Sequence, residues 1–337
     1  MPTLPIPMIG SIFLVLVLIN ALIRQRISLL FGVLLGATAM QGVVISLAQH
    51  YEVAVFRMVQ PVTAVIIPPL AWITFQGSAV RKLKLSRDWL HAIGPLFIIF
   101  CLFFVPAQLD FAIPALFVAY GGAMLLTLAK GGDALPFVRL ENGDLPRLIW
   151  QIIGFSLIAS AASDVLIILA QMVGLSAWQP WIIAISTTVM LLIVGGLSLS
   201  QSLTRGDESI GQAEALSPEE TNATNAEQDT DTMARLDNLL AEQKLYLDPD
   251  LSLGQMSRKL RVPVKQLSGA INRSTGENVS RYINRQRIRA ACVALEAGEN
   301  VTTTMYASGF NTKSNFNREF LRIMGVPPRI WVEQQGK

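Results

Sequence analysis

Residues 308–320 read Ser-Gly-Phe-Asn-Thr-Lys-Ser-Asn-Phe-Asn-Arg-Glu-Phe and decide the fold of the C-terminal part of the chain. Gly309 marks a turn, and apolar residues then recur with helical spacing at Phe316, Phe320 and Ile323. Burying these three residues leaves polar side chains on the other faces of the helix, namely Lys313, Ser314, Asn317 and Arg318. Such side chains can hydrogen-bond to base edges in the major groove of DNA. The stretch therefore predicts a recognition helix.

A short helix is also predicted at 301–308, just before this turn. The short helix, the turn and the recognition helix together form a helix-turn-helix pattern. The same pattern occurs upstream, where a helix at 253–260 meets a corner at Arg261-Val262-Pro263 and a second helix at 263–274. A long helix at 279–297 lies between the two patterns. The sequence therefore predicts two helix-turn-helix units joined by one long helix.

These positions resemble the AraC/XylS family of bacterial transcription regulators over residues 233–334. The residues that carry the resemblance are Leu251, Leu253, Met256, Leu267, Gly276, Tyr282, Arg287, Gly309-Phe310, Phe316, Arg318, Phe320, Gly325 and Pro328. The resemblance implies that both units read successive major grooves on one face of promoter DNA, and that the protein contacts RNA polymerase. It assigns the DNA-facing positions to Val264, Lys265, Ser268 and Gly269 on the first recognition helix. On the second it assigns Lys313, Ser314, Asn317 and Arg318.

The chain departs from the family pattern at several positions. Thr304-Met305 replaces the usual aliphatic-Ala pair, Pro263 replaces the usual Ser or Thr cap, and Gly269 offers no side chain. These departures concern base specificity and the contacts of the first unit rather than the fold. The ligand-binding β-barrel common in the family is absent, and apolar segments take its place, as in a membrane-bound branch of the family.

The N-terminal 200 residues are poor in charge, with ten Lys or Arg and seven Asp or Glu. The whole chain has 15% charged residues, against about 25% in an average soluble domain. About 20 consecutive apolar residues are needed for a helix to cross a bilayer. Seven stretches qualify, at approximately 5–23, 28–48, 60–78, 91–108, 111–129, 149–171 and 180–200. The predicted fold is therefore all-α, a seven-helix transmembrane bundle followed by a cytoplasmic double helix-turn-helix domain.

The loops between these stretches predict the orientation, because Lys and Arg favour the cytoplasmic side. Nine of these residues lie in the loops after the first, third and fifth spans, whereas the alternate loops hold only Arg57. We therefore expect a multi-pass protein of the bacterial inner membrane with its N-terminus outside and its C-terminal part in the cytoplasm.

Polar residues within the predicted spans are few. Asp164 is the only acidic residue well inside a span. It is either a hydrogen-bonded packing residue or a site that senses a signal, since acidic side chains inside a membrane tend to face cavities. Pro61, Pro68 and Pro69 predict a kink in the third span. No catalytic constellation, metal-binding motif or cofactor motif is predicted, so the sequence does not indicate an enzyme.

An acidic segment at 204–231 lacks aromatic residues and predicts a flexible linker. Residues 205–250 hold three basic and twelve acidic residues, whereas 251–337 hold fourteen basic and five acidic. A basic module suits a polyanionic partner. The predicted domains are thus 1–203 in the membrane, the linker at 204–231, and the DNA-binding domain at 232–337.

The patterns together favour a membrane-anchored, sequence-specific regulator that acts as a homodimer and senses a signal, of unspecified chemistry, through its membrane half. An alternative is a transporter or membrane enzyme that carries a regulatory DNA-binding tail. A transporter is expected to show broken helices in matching positions of two repeats. Only the third span is rich in proline, which favours the regulator.

Overall fold

The computed structural model describes residues 4–23, 28–130, 135–140, 145–189 and 223–335. Within these ranges the chain is helical, and its only extended pairing is an isolated antiparallel bridge between Arg139 and Ser252. The all-α class is therefore confirmed for this part of the chain. The chain divides into two compact units, one of Met1–Lys130 with Leu148–Ser198 and one of Gly131–Arg147 with Leu199–Lys337.

The N-terminal part is built from long apolar helices. They are α1 (Ile6–Ile23), α2 (Leu29–Ile45), α3 (Ala54–Ala64), α4 (Ile67–Phe75), α5 (Leu85–Asp88), α6 (Ile93–Phe104), α7 (Leu109–Ala129), α8 (Leu145–Met172) and α9 (179–189). Short π-helical or 3₁₀ turns extend several of them, so that six segments are long and apolar enough to cross a membrane: Ile6–Ile23, Leu29–His50, Ala54–Val80, Leu85–Phe104, Pro106–Ala129 and Pro146–Met172.

These six segments agree with the first six predicted spans. The seventh begins as α9, but residues 190–200 lie outside the described residues, and the count of seven stays a prediction. The prolines interrupt the third span as expected. Pro61 lies inside α3, Pro68 and Pro69 begin α4, and the two helices meet at Val65–Ile66. Since proline has no N–H group, Pro68 and Pro69 cannot continue the hydrogen bonds of α3.

Small residues bring the apolar helices close together. A Cβ atom on Gly42 would lie 2.3 Å from Ser11 Oγ, and one on Gly121 would lie 2.8 Å from the Gly154 carbonyl oxygen. Large apolar side chains instead point outward, such as Phe103, which is 68% exposed. Small residues inside and large apolar residues outside are typical of helices packed in lipid. The architecture is thus compatible with membrane anchoring.

The C-terminal unit contains the predicted double helix-turn-helix. Its helices are α10 (Ala223–Gln243), α11 (Leu253–Leu260), α12 (Val264–Thr275), α13 (Val279–Glu296), α14 (Val301–Ala307), α15 (Lys313–Met324) and α16 (Pro328–Gln335). From α11 to α14 the bounds agree with the predicted helices to within one residue, and α15 is the helix expected after the turn at Gly309. The sequence reasoning did not predict α16, which buries Trp331.

Two apolar cores lie along α13. Its N-terminal half adds Tyr282 and Ile283 to a core formed with α10, α11 and α12. Its C-terminal half adds Ile288 and Leu295 to a core that contains Phe316 and three further aromatic side chains, two from the second helix-turn-helix unit and one from α16. The long helix therefore joins the two units by belonging to both cores.

The helix α10 begins earlier than the predicted end of the linker. We expected a flexible linker over 204–231, whereas residues 223–231 belong to α10. The physical reason is tertiary packing: Asp229 is 7% exposed and Thr232 is 1% exposed, so the rest of the unit covers α10 at these two residues. Residues 204–222 lie outside the described residues.

Candidate nucleic-acid interface

The first helix-turn-helix unit is shaped by a capping box and a left-handed turn. The backbone N–H of Ser252 donates to Gln255 Oε1 at 2.8 Å, while Gln255 N–H donates to Ser252 Oγ at 3.4 Å. This reciprocal pair begins α11 by satisfying two of its free N–H groups. Arg261 ends α11 with φ +55°, and Pro263 begins α12 without a side-chain cap. The turn between the two helices therefore rests on backbone geometry.

The predicted DNA-facing residues of α12 differ in their exposure to solvent. Lys265 is exposed, whereas Val264 packs against the first core. Ser268 is only 8% exposed, and its hydroxyl donates to the Lys265 carbonyl oxygen at 3.2 Å. Lys265 is thus the predicted residue on this helix that is best placed to meet a ligand from solvent.

Arg273 lies next to this face, and the sequence reasoning did not single it out. A Cβ atom on Gly269 would lie 2.9 Å from Arg273 Nη1, so the guanidinium group covers the space that the missing side chain leaves. Asp229 of α10 holds this guanidinium, since Arg273 Nε and Nη2 donate to its two carboxylate oxygens at 2.6 and 2.8 Å. In the sequence, Gly269 and Arg273 lie four residues apart and therefore on the same face of α12. The sequence does not predict the contact with Asp229, because Asp229 belongs to the predicted linker.

The second unit has the same design with side-chain caps at both helices. Thr302 N–H donates to Asn300 Oδ1 at 2.8 Å at the start of α14. Asn315 N–H donates to Thr312 Oγ1 at 3.3 Å at the start of α15. Gly309 forms the turn with φ +87°, in the left-handed region that favours glycine.

The predicted residues of α15 lie on its accessible side. Lys313 and Ser314 are exposed, and Asn317 and Arg318 are half-buried, while Phe316 is buried in the second core. Lys313 and Ser314 are thus the more accessible of the four predicted residues. Arg318 Nε donates to Glu319 Oε1 at 3.4 Å, and this carboxylate also accepts from Arg322 Nε at 3.0 Å. Glu319 thus orients two arginines beside the recognition surface.

A buried arginine connects the two units. Arg287 of α13 is fully buried, and it donates to the carbonyl oxygens of Tyr246 and Asp248 at 2.6 and 2.7 Å. Its guanidinium carbon also lies 5.6 Å from the centre of the Phe310 ring, which belongs to the turn of the second unit. Because buried charges are costly unless hydrogen-bonded, these contacts hold the segment before the first unit against the turn of the second.

Two further groups in the unit are kept in their neutral forms. Burial and a hydrogen bond of 2.5 Å from its hydroxyl to Asp237 raise the pKa of Tyr282. Burial also raises the pKa of the Cys292 thiol, with a further contribution from Glu296. Neither side chain presents a reactive anion, so both belong to the packing of α13.

Asp164, the predicted sensing residue, is half-buried on α8. Among the described residues, no hydrogen bond to its carboxyl group is found. One set of polar contacts elsewhere in the N-terminal part joins three glutamines: Gln171 donates to Gln179 at 3.2 Å, and Gln179 donates to Gln49 at 3.0 Å. In the part of the chain that the structure describes, no three His, Cys, Asp or Glu side chains group as metal ligands would.

Comparison with known proteins supports the geometry of the C-terminal unit. Residues 256–334 match the family described as a helix-turn-helix domain, of the AraC type. No curated protein and no solved structure matches the chain. The matched family is a DNA-binding regulator domain and not an enzyme. Residues 256–334 are therefore similar to an AraC-type helix-turn-helix domain, which is a kind of domain that binds DNA.

Proposed function

We propose that the protein is a membrane-anchored transcription regulator that binds promoter DNA at specific sequences. The observation that carries this proposal is the pair of helix-turn-helix units joined by α13 and Arg287. Each unit offers an exposed basic side chain on its recognition helix, Lys265 on α12 and Lys313 on α15. Two recognition helices joined in one unit suit two neighbouring major grooves on one face of the duplex.

Three segments divide the work in this proposal. Residues 1–203 form the membrane domain, 204–222 form the linker, and 223–337 form the DNA-binding domain, with the last boundary moved to the start of α10. The acidic linker repels DNA and so stays off the duplex.

The protein lies in the bacterial inner membrane, with its N-terminus outside and its C-terminal domain in the cytoplasm. This part of the proposal is supported by the nine-to-one distribution of Lys and Arg between alternate loops. A cytoplasmic domain also has access to promoter DNA and to RNA polymerase, which is the second partner.

Regulation in this proposal works through association of two chains. Confinement to a membrane raises the effective concentration of neighbouring DNA-binding domains. A homodimer then presents two domains to one promoter, and a signal that changes helix packing in the membrane alters how they are presented.

Asp164 is our candidate for the residue that detects the signal. It is the only acidic side chain well within a predicted span, and such residues are commonly functional. Asp164→Asn keeps the size of the side chain but removes its charge. We expect a reporter under the target promoter to become locked on or off, with membrane insertion verified by blotting. A fully inducible reporter would make Asp164 a packing residue.

The test of the whole proposal is to cross-link the full-length protein to DNA in cells and sequence the bound fragments. We expect a limited set of promoter sites that share a motif long enough for two major grooves. The variant in which Lys313, Ser314 and Arg318 are all replaced by alanine should lose these sites while staying in the membrane. Recovery of no enriched sites by the wild-type protein would contradict the proposal.

A further inference from the structure

The loop between α7 and α8 contributes to the first helix-turn-helix unit, although more than 100 residues separate them in sequence. Residues 135–140 of this loop lie in the same compact unit as the DNA-binding domain. Arg139 pairs with Ser252 in an antiparallel bridge. Leu140 N–H donates to the Leu251 carbonyl oxygen at 3.0 Å. The loop therefore pairs by its backbone with the residues that begin α11.

The loop also contributes a side chain to the first core. Leu140 is only 6% exposed and belongs to the core that contains Leu236, Leu251 and Met256. By contrast, Phe137 of the same loop is 39% exposed. Because burial of apolar surface is the main source of stabilisation in such contacts, Leu140 is the anchor of the loop.

Gly254 makes room for the loop on the domain side. Its N–H, one of the groups at the start of a helix that lack a partner within the helix, donates to the Pro136 carbonyl oxygen at 3.0 Å. A Cβ atom at this position would itself lie 3.0 Å from that oxygen. Arg139 also pairs with Asp250 at 2.9 Å, but both side chains are more than half exposed, and such pairs add little. Backbone pairing and Leu140 thus hold the contact.

We propose that residues 135–140 are a docking segment through which α7 and α8 act on the first helix-turn-helix unit. The acidic linker of the proposed function would set the local concentration of the domain. The loop is different, because Leu140 lies five residues before α8 and is packed into the core that supports α12. A shift of either helix end therefore moves the recognition helix or releases the loop. The effect on DNA rests on the function proposed above, whereas the contact itself does not.

The contact is tested by a disulfide in the full-length protein in membranes. Cysteines replace Arg139 and Ser252 in a chain that carries Cys101→Ala and Cys292→Ala, with a protease site placed in the linker. Residues opposite each other in an antiparallel pair are close enough for a disulfide after small adjustments. After oxidation and linker cleavage, we expect the two halves to stay covalently joined until reduced.

Two controls make this result specific. Ser252→Cys alone reports on the loss of the helix cap, and the pair Arg139→Cys with Ser314→Cys reports on random encounters with an exposed residue of α15. If the Arg139/Ser252 pair joins the halves no more than these controls do, the docking proposal is wrong.

The coupling is tested by Leu140→Ser, with Phe137→Ser as the matched control on the same loop. At equal amounts in the membrane, we expect Leu140→Ser to change output from the bound promoter by about fivefold or more, the lower end of ordinary coupling between sites. Phe137→Ser should change it by less than about twofold, below that range. Unchanged output in Leu140→Ser would overturn the coupling. If the protein does not regulate transcription at all, removing the whole protein also leaves the reporter unchanged while the disulfide still forms, so the two failures are distinguishable.

Discussion

At the scale of single residues, Arg287 sets the relation between the two helix-turn-helix units. Its three nitrogen atoms donate to the Tyr246 and Asp248 carbonyl oxygens and to Asn284 Oδ1. Gly309, in the turn of the second unit, packs against the same backbone segment. A Cβ atom there would approach the Tyr246 carbonyl oxygen to 2.7 Å. The two units therefore meet through one charged side chain and one residue without a side chain.

We predict that Arg287→Met lowers the free energy of unfolding of this unit by about 2 kcal/mol or more, because three acceptors lose their donor. Hydrogen exchange of the full-length protein, followed at amides of α13 to α15, measures the loss of protection. Arg289→Met is the control, since Arg289 is exposed on the same helix. Equal protection in the two variants would contradict the role given to Arg287.

Replacement of Thr304 is expected to stabilise the unit, in contrast to replacement of Arg287. It is 1% exposed, and among the described residues its Oγ1 has no hydrogen-bond partner. An unsatisfied buried hydroxyl costs about 1–3 kcal/mol, and valine has nearly the same shape without that group. We therefore expect Thr304→Val to increase amide protection in α14 and α15 by about 1 kcal/mol. The control is Thr303→Val at an exposed position, which should leave protection unchanged, and a loss of protection in Thr304→Val would show that its hydroxyl is satisfied.

At the scale of elements, the two recognition helices differ in what they expose. On α12 the hydroxyl of Ser268 is turned to its own backbone, and Lys265 is the exposed candidate. On α15 both Lys313 and Ser314 are exposed, with Arg318 half-buried beside them. The second unit therefore has more side chains available to read bases.

Arginines on the recognition helix and on α13 are expected to affect DNA binding in different ways. Arg318→Ala should weaken binding by about 1–3 kcal/mol at sites with the preferred base and less at others, as the loss of a base contact does. Arg289→Ala on α13 should weaken all sites alike, as the loss of a phosphate contact does. Binding of the purified full-length protein to a panel of single-base variants of one promoter measures both. A uniform loss for Arg318→Ala would assign it to the phosphate backbone.

At the scale of the whole molecule, the distribution of basic loops predicts where each end of the chain lies. Alkaline phosphatase is active only outside the cytoplasm. A fusion near Ala54 should therefore be active, whereas a fusion after Leu203 should be inactive. A cytoplasmic reporter such as β-galactosidase should give the reverse pattern at the same two positions. Activity of the phosphatase after Leu203 would reject a cytoplasmic DNA-binding domain.

Much of this architecture follows from local features of the sequence. The six apolar segments are visible because crossing lipid requires about 20 apolar residues in a row. The helices α11 to α15 are visible because apolar spacing, caps and glycines act over only a few residues, as at Gly276 and Gly309. For the same reason, the exposure of Lys313 and Ser314 on α15 could be derived from the burial of Phe316 and Phe320.

The rest depends on residues that are distant in sequence and was decided only by the tertiary structure. Asp229 looks like part of a polar linker until Arg273 of α12 is placed beside it. The sequence pattern includes Arg287 but gives it no partner, and the tertiary structure places it against the Tyr246 and Asp248 carbonyl oxygens. Similarly, Leu140 looks like a loop residue in the sequence but belongs to the first core in the structure. Helical segments and the faces that they bury can be predicted from the sequence, because those preferences are local. Only the packed structure decided which helix ends, carbonyl groups and loops meet, because such contacts depend on the whole chain folding around them.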